Sequence, residues 1–145
     1  MATASAPEVA AGDLALLIPV GADVYAVRLA SVREVVVAPR VTQLPTAPPT
    51  VRGVFNVRGD IVPLLDTGLL LGLRAVADEP YAVLIETAHG VAGLVATGMP
   101  ATARLRESVG RSDLEGTTET HLIDDTRLAV VLDLATLLNP VRISR

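Results

Sequence analysis

Pairs of short aliphatic runs, each pair hinged on a few turn-forming residues, recur along this chain and leave little room for any architecture but antiparallel sheet. Residues 14–20 and 24–29 flank Gly21-Ala22-Asp23, residues 54–58 and 61–65 flank Gly59-Asp60, and residues 81–86 and 91–95 flank the turn at 87–90. Gly reaches the positive φ that tight hairpins need, and Asp hydrogen-bonds its own backbone, so each of these places predicts a hairpin. A fourth is expected where residues 121–123 and 128–132 flank Asp124-Asp125-Thr126. The Pro-rich stretch 44–49 cannot donate ladder hydrogen bonds at its prolines and reads as an extended crossing. The expected class is all-β with a few short helices.

Two of those helices have start and stop signals. Asp66 is placed to cap residues 67–71 before Gly72, and Asp133 to cap residues 134–138 before Asn139-Pro140. Written together, IVPLLDTGLLLGL at 61–73 and LAVVLDLATLLNP at 128–140 share the order strand, Asp, short Leu-rich helix at an offset of 67. The likeness suggests two related β sub-units in one chain; the alternative is coincidence in a Leu/Val-rich sequence.

Composition narrows the function classes. Half of the 145 residues are hydrophobic, yet there are only two Tyr, one Phe and no Trp, so the interior is built from Val, Leu, Ile and Ala. A net charge of −4, with no basic run, argues against nucleic acid, and the lack of aromatic stacking platforms argues the same way. No cysteine is present for a disulfide or a thiolate metal site, which fits a reducing cytoplasm. Residues 1–12 carry neither the basic start nor the apolar stretch of a secretory signal and read as a disordered tail. The longest apolar runs fall far short of the roughly 20 residues that span a bilayer, so no membrane insertion is expected.

Candidate chemistry is sparse. His89, His121, Asp60 and Asp124-Asp125 are the residue types of metal binding or acid/base catalysis, but the two histidines lie in different hairpins and no metalloprotease, nucleophile-elbow, phosphate-loop or dinucleotide fingerprint occurs. No enzyme activity, metal or cofactor is expected, and Asp124-Asp125 reads as turn chemistry. Strand alternation puts Asn56 and Arg58 on one side with Val54, and Phe55 and Val57 on the other. Arg58 and Asn56 read either as a donor fork and an amide offered to a partner, or as side chains that pin the hairpin to neighbouring loops. Gly53, Gly59 and Asp60 read as turn or close-approach positions. Val91, Gly93 and Val95 read as core or as the lining of a groove, and Glu34 as a solvated charge or as a contact able to pair with an Arg.

The stretch GVFNVRGDIVPLLDTGLLLGL at 53–73 resembles the CheW-like family, with Ala47-Pro48-Pro49 leading into Gly53, Asn56, Arg58, Gly59, Pro63 and Asp66 in the family's spacing. VYAVRLASVREVV at 24–36 looks like the family's strand and helical turn with a central Glu, and YAVLIETAHGVAGLV at 81–95 like a later strand pair. The likeness is good over 14–100, faint over 101–120, and returns at 128–140. It implies two SH3-like five-stranded β-barrel sub-domains sharing a hydrophobic core, in one domain over 13–140 followed by a tail at 141–145. It also implies a non-catalytic cytoplasmic adaptor. Its partners would be the cytoplasmic helical hairpin of a methyl-accepting chemoreceptor and the regulatory domain of a CheA-type histidine kinase. On that resemblance Glu34, Asn56, Arg58, Val91, Gly93 and Val95 become partner-contact candidates. Two departures stand out: residues 96–100 read ATGMP where many members carry an acidic residue, and the polar stretch 107–120 suggests that one barrel is trimmed or loosely ordered. Without the resemblance, a generic SH3-like module that binds peptides or small ligands accounts for the same residues.

Overall fold

The computed structural model describes residues 9–144 and consists of two β-sheets joined through one core. The strands are β1 (Leu14–Val20), β2 (Asp23–Arg28), β3 (Val32–Val37), β4 (Val51–Val57), β5 (Asp60–Leu65), β6 (Tyr81–Thr87), β7 (Gly90–Ala96), β8 (Ala101–Arg104), β9 (Ser108–Arg111), β10 (Thr117–Leu122) and β11 (Leu128–Leu132). Three one-turn helices accompany them: α1 (Thr67–Leu70), α2 (Leu134–Leu137) and α3 (Pro140–Ile143). All four expected hairpins form, as β1–β2, β4–β5, β6–β7 and β10–β11. The first sheet has the order β8-β1-β2-β11-β10-β9 and the second β3-β6-β7-β5-β4.

The sub-units are interleaved, because the second is continuous in sequence and is inserted between β2 and β8 of the first. Each sheet curls back toward itself by the same device, a single bent segment that reaches both edges. In the first sheet this is the segment 101–111: β8 pairs with β1 and β9 with β10, and the Arg106 and Leu122 backbones continue the link at 2.8 Å. In the second, β3 gives way to Ala38, whose φ is +50°, and Thr42 then exchanges two backbone bonds with Val54, at 2.8 and 2.9 Å. Among the described residues the end strands of neither sheet are otherwise paired, so the two sheets are consistent with the expected SH3-like fold but are curled and not fully closed as five-stranded barrels, the first with six strands because its bent segment counts twice.

The internal repeat is real at the level of hydrogen bonds. Asp66 caps α1 by accepting from the Leu69 amide, and Asp133 caps α2 by accepting from the Thr136 amide. Each Asp amide in turn donates to a carbonyl just ahead of the preceding hairpin, Thr50 for Asp66 and Gly116 for Asp133. Both preceding strands, β5 and β11, then lie parallel to a strand from elsewhere in their sheet, β7 and β2.

Further expectations change. Residues 107–120 are not trimmed: they form β9 and the start of β10, whose exposed and half-buried side chains gave no hydrophobic period to read. Glu34 is not on a helical turn; the turn is a 3-10 segment at Leu29–Ser31, and Glu34 comes after it on β3. The stretch read as a tail at 141–145 begins inside α3, capped by Asn139. Of the expected amino-terminal tail, residues 1–8 lie outside the described residues, while Val9 is buried beside Leu17, Leu105 and Ile123.

Gly53 shows what the curling demands. Its φ is +151°, and a Cβ there would fall inside the Thr42 carbonyl and against the Val41 side chain, so the bridge from Thr42 to Val54 requires the absence of a side chain. Gly59 also has a positive φ, +91°, but open space around it. Gly53→Ala is therefore expected to lower stability by about 2–4 kcal/mol and Gly59→Ala by about 1–2 kcal/mol, measured by urea denaturation. Equal effects would show that close approach at residue 42 is not the constraint.

Candidate functional site

The β4–β5 hairpin turns on two residues, Arg58 at φ +49° and Gly59 at φ +91°, between the pair Val57 and Asp60. Positive φ at both turn positions matches the twist of paired strands. Arg58 is not a residue that favours this conformation, and Asn56 compensates: its side-chain Oδ1 accepts the Gly59 amide at 3.0 Å. Asn56 thus shapes the turn, and the turn aims Arg58 across the mouth of the second sub-unit.

There Arg58 meets Glu34. The guanidinium donates from Nη1 to Oε1 at 3.3 Å and from Nη2 to Oε2, a two-pronged pair between β3 and the β4–β5 turn. The Arg58 side chain remains 71% exposed while that of Glu34 is 26% exposed, so the carboxylate is the fixed member and the guanidinium faces solvent. A bulge lies beside Glu34: Val32 pairs with Ile85 and Glu34 with Leu84, which makes Arg33 the extra residue, while Val32, Glu34 and Val36 stay on the more buried side of β3. Arg33 turns outward and lies 3.7 Å from Glu86.

Glu34, Arg58, Asp60 and Val91 are brought together, with Arg33, Val57, Ile61, Val62 and Leu84, around one concavity of about 250 Å³. Charges ring it and aliphatic side chains floor it, and Ile61, directly opposite Asn56, is 65% exposed at its edge. Gly93 and Val95 do not join this surface. Val95 is fully buried, and a Cβ on Gly93 would sit 3.2 Å from the Phe55 ring, so Gly93 is the gap that admits the chain's single Phe to the core. Gly53 lies at the far end of β4 from the turn.

A second polar cluster was missed in the sequence. A bulge between Val51 and Gly53 leaves Arg52 as the extra residue and points it at the α1 cap. Arg52 donates to Asp66 Oδ2 at 3.0 Å, to the Val76 carbonyl at 2.9 Å and, through Nε, to Glu79 at 2.5 Å. Asp66, 1% exposed, also accepts the Val76 amide, so a carboxylate inside the fold is fully bonded and the loop after α1 is tied to it. Only the capping role of Asp66 was legible; Arg52 sits in a strand pattern that carries no sign of its bulge.

The residues that suggested catalysis are dispersed. His121 is buried with Nδ1 2.8 Å from the Arg106 carbonyl, so that nitrogen donates, and His89 is exposed on the β6–β7 turn. Asp124 closes its own turn: hydrogen bonds from the Thr126 amide and the Arg127 side chain hold its carboxyl well below the usual carboxylate range. Among the described residues no group of three metal-ligating side chains converges, and no helix is long and apolar enough to cross a membrane.

The two ion pairs differ in what they do for the fold. Arg58→Ala removes an exposed pair and is expected to change stability by less than about 1 kcal/mol. Arg52→Ala strands the Asp66 carboxylate inside the protein without its cation and is expected to cost about 2–4 kcal/mol in a denaturant titration. The reverse ranking would show that the mouth, not the cap, holds this sub-unit together.

Known proteins share this sequence pattern and this fold. The family model described as the CheW-like domain matches residues 14–142. Chemotaxis protein CheV3 of Helicobacter pylori is 22% identical over 136 residues, covering 83% of this chain and 43% of that protein. Chemotaxis protein CheW of the same organism is 38% identical over 56 residues, covering 39% of this chain and 34% of that protein. The chain thus matches less than half the length of each of these two curated relatives. The crystal structure of the scaffolding protein TtCheW from Thermoanaerobacter tengcongensis superposes with a TM-score of 0.77 at 17% identity, covering 92% of this chain and 97% of that one, which establishes a common fold.

Proposed function

The chain belongs to the CheW-like domain family, and from that premise we propose that it is a non-catalytic cytoplasmic adaptor that joins the cytoplasmic hairpin of a chemoreceptor to the regulatory domain of a CheA-type histidine kinase. The observation that carries the reading is the mouth of the second sub-unit, where Arg33, Glu34, Arg58 and Asp60 ring an aliphatic floor of Val57, Val62, Leu84 and Val91. A concavity that presents mainly polar groups over a largely buried aliphatic base suits a reversible polar contact, and a planar guanidinium suits carboxylates or the carbonyls at a helix end. Relatives named for chemotaxis and scaffolding support the same reading.

The fold suggests how such an adaptor passes a signal without chemistry. One hydrophobic cluster includes side chains from both sub-units, among them Leu16, Ile18 and Tyr25 from the first and Phe55, Leu64 and Leu94 from the second. A partner held on one sub-unit and a partner held on the other are therefore in contact with the same packed interior. Binding energy that differs between two packings of that interior shifts their populations.

The test is assembly. Size-exclusion chromatography with a receptor cytoplasmic fragment and the kinase regulatory domain is expected to give a ternary complex, with no turnover of ATP by this chain alone. Arg58→Ala and Glu34→Ala are expected to weaken assembly at least about tenfold while the fold persists. The exchanged pair Glu34→Arg with Arg58→Glu separates the roles: it can rebuild the internal pair but presents the wrong charge outward, so it should stay defective. Normal assembly by the two single variants, or full rescue by the exchange, would remove these residues from the contact.

A further inference from the structure

The α3 turn crosses from one sub-unit to the other. It comes directly after α2 of the first sub-unit, and yet Arg142 donates from Nε and Nη2 to the carbonyl of Leu70 at the end of α1, at 3.0 and 2.7 Å. The same guanidinium donates through Nη1 to Glu115, ahead of β10 in the first sub-unit, so one side chain grips both. Thr50, ahead of β4 in the second sub-unit, donates its hydroxyl to the Ile143 carbonyl. The Thr50 carbonyl also accepts the Asp66 amide at 2.7 Å, which connects α3 to the α1 cap.

How this turn is held matters as much as where. None of its residues is buried, and Val141 is 71% exposed, whereas the Arg142 side chain is only 11% exposed. One helical turn has no stability of its own. It stays in place through polar bonds to groups on two different sub-units and through the half-buried Ile143, which packs against the shared core, so its release withdraws one peripheral side chain and leaves the buried cluster itself in place.

We infer that α3 is a releasable latch at the seam between the two sub-units, with Arg142 as its key. Bound, it ties the end of α1 and the lead into β4 to the lead into β10; released, it frees that end of the seam to move while the shared core persists. The inference rests on these contacts alone and stands whether or not the adaptor reading holds.

Amide hydrogen exchange on the full chain tests it. Arg142→Ala is expected to speed exchange about tenfold or more at Ile143 and Ser144, and also across the seam at residues 71–73 and Asp66, with the β6–β7 ladder unchanged. Arg142→Lys, which offers one nitrogen where Arg142 uses three, should fall between, and Thr50→Val should loosen the same amides from the other side. Because the chain has no cysteine, Thr46→Cys with Asp113→Cys places spin labels on the two sides of the latch, and their distance distribution should broaden in the Arg142→Ala background. Faster exchange confined to residues 140–144, with an unbroadened distance, would reduce α3 to a local tether and overturn the latch. If Arg142→Ala unfolds the whole chain, Thr50→Val and Arg142→Lys decide the matter by the same two readouts, and global loosening in both would equally overturn it.

Discussion

Burial of β1 and β2 on both faces is the constraint on which the rest of the structure depends. Ala15, Leu17 and Ala26 face a cluster inside the first sub-unit with Leu105, Ala129 and Val131, while Leu16, Ile18, Val20, Tyr25 and Val27 face the second sub-unit. A strand with two apolar faces cannot slip by one residue without driving larger side chains into the space of smaller ones, and here the small residues, Ala15 and Ala26, sit on one face only. This fixes the register of the hairpin and, through it, the seam. It also explains why the sub-units are interleaved: the β1–β2 hairpin completes the first sheet while its other face serves as the wall against which the second sub-unit packs.

The paired caps show one frame adapted to two environments. Asp66 and Asp133 occupy matching positions, each joining a strand to a helical turn and each donating its amide to the lead of the preceding hairpin. Asp66 is buried, and a buried carboxylate needs a cation and further donors, which Arg52 and the Val76 amide supply. Asp133 is half-buried and is satisfied by the Thr136 amide and hydroxyl alone. The segments beyond the two helices diverge accordingly: the loop after α1 is tied to its own sub-unit through Arg52, and the turn after α2 reaches across through Arg142.

Much of the sheet was legible in the sequence because its hairpins turn on Gly and Asp, and because LALLIPV at 14–20 is a continuous apolar run, the mark of a strand buried on both faces. Segments that bury little were not legible. β9 is exposed at every residue and β8 nearly so, and they hold their places by backbone pairing to the edges of a sheet built by others. A bulge hid part of the rest. The extra residue in β4 breaks the pairing register, so the aim of Arg52 at the α1 cap cannot be had by counting along the chain, whereas Glu34 keeps the inward alternation of Val32 and Val36. The meeting of Glu34 with Arg58, 24 residues apart, comes from the curl of the sheet and not from any local pattern.

On the proposed adaptor reading, the internal pairing of Arg58 bears on what kind of partner the mouth would select. A free arginine on a hairpin tip would lose side-chain freedom and hydration together on binding, whereas Glu34 already holds this one in a defined direction. The pair engages Nη1 and Nη2 and leaves Nε and the outer face of the guanidinium open to solvent, so an incoming acceptor can add to the pair without displacing Glu34. An incoming cation meets Arg33 and Arg58 at the rim and must compete for Glu34, which is already committed. At Arg58 the geometry therefore favours acceptors, through the orientation of one pair, while Asp60 on the same rim offers a carboxylate to donors; the charges of Arg33, Glu34, Arg58 and Asp60 cancel.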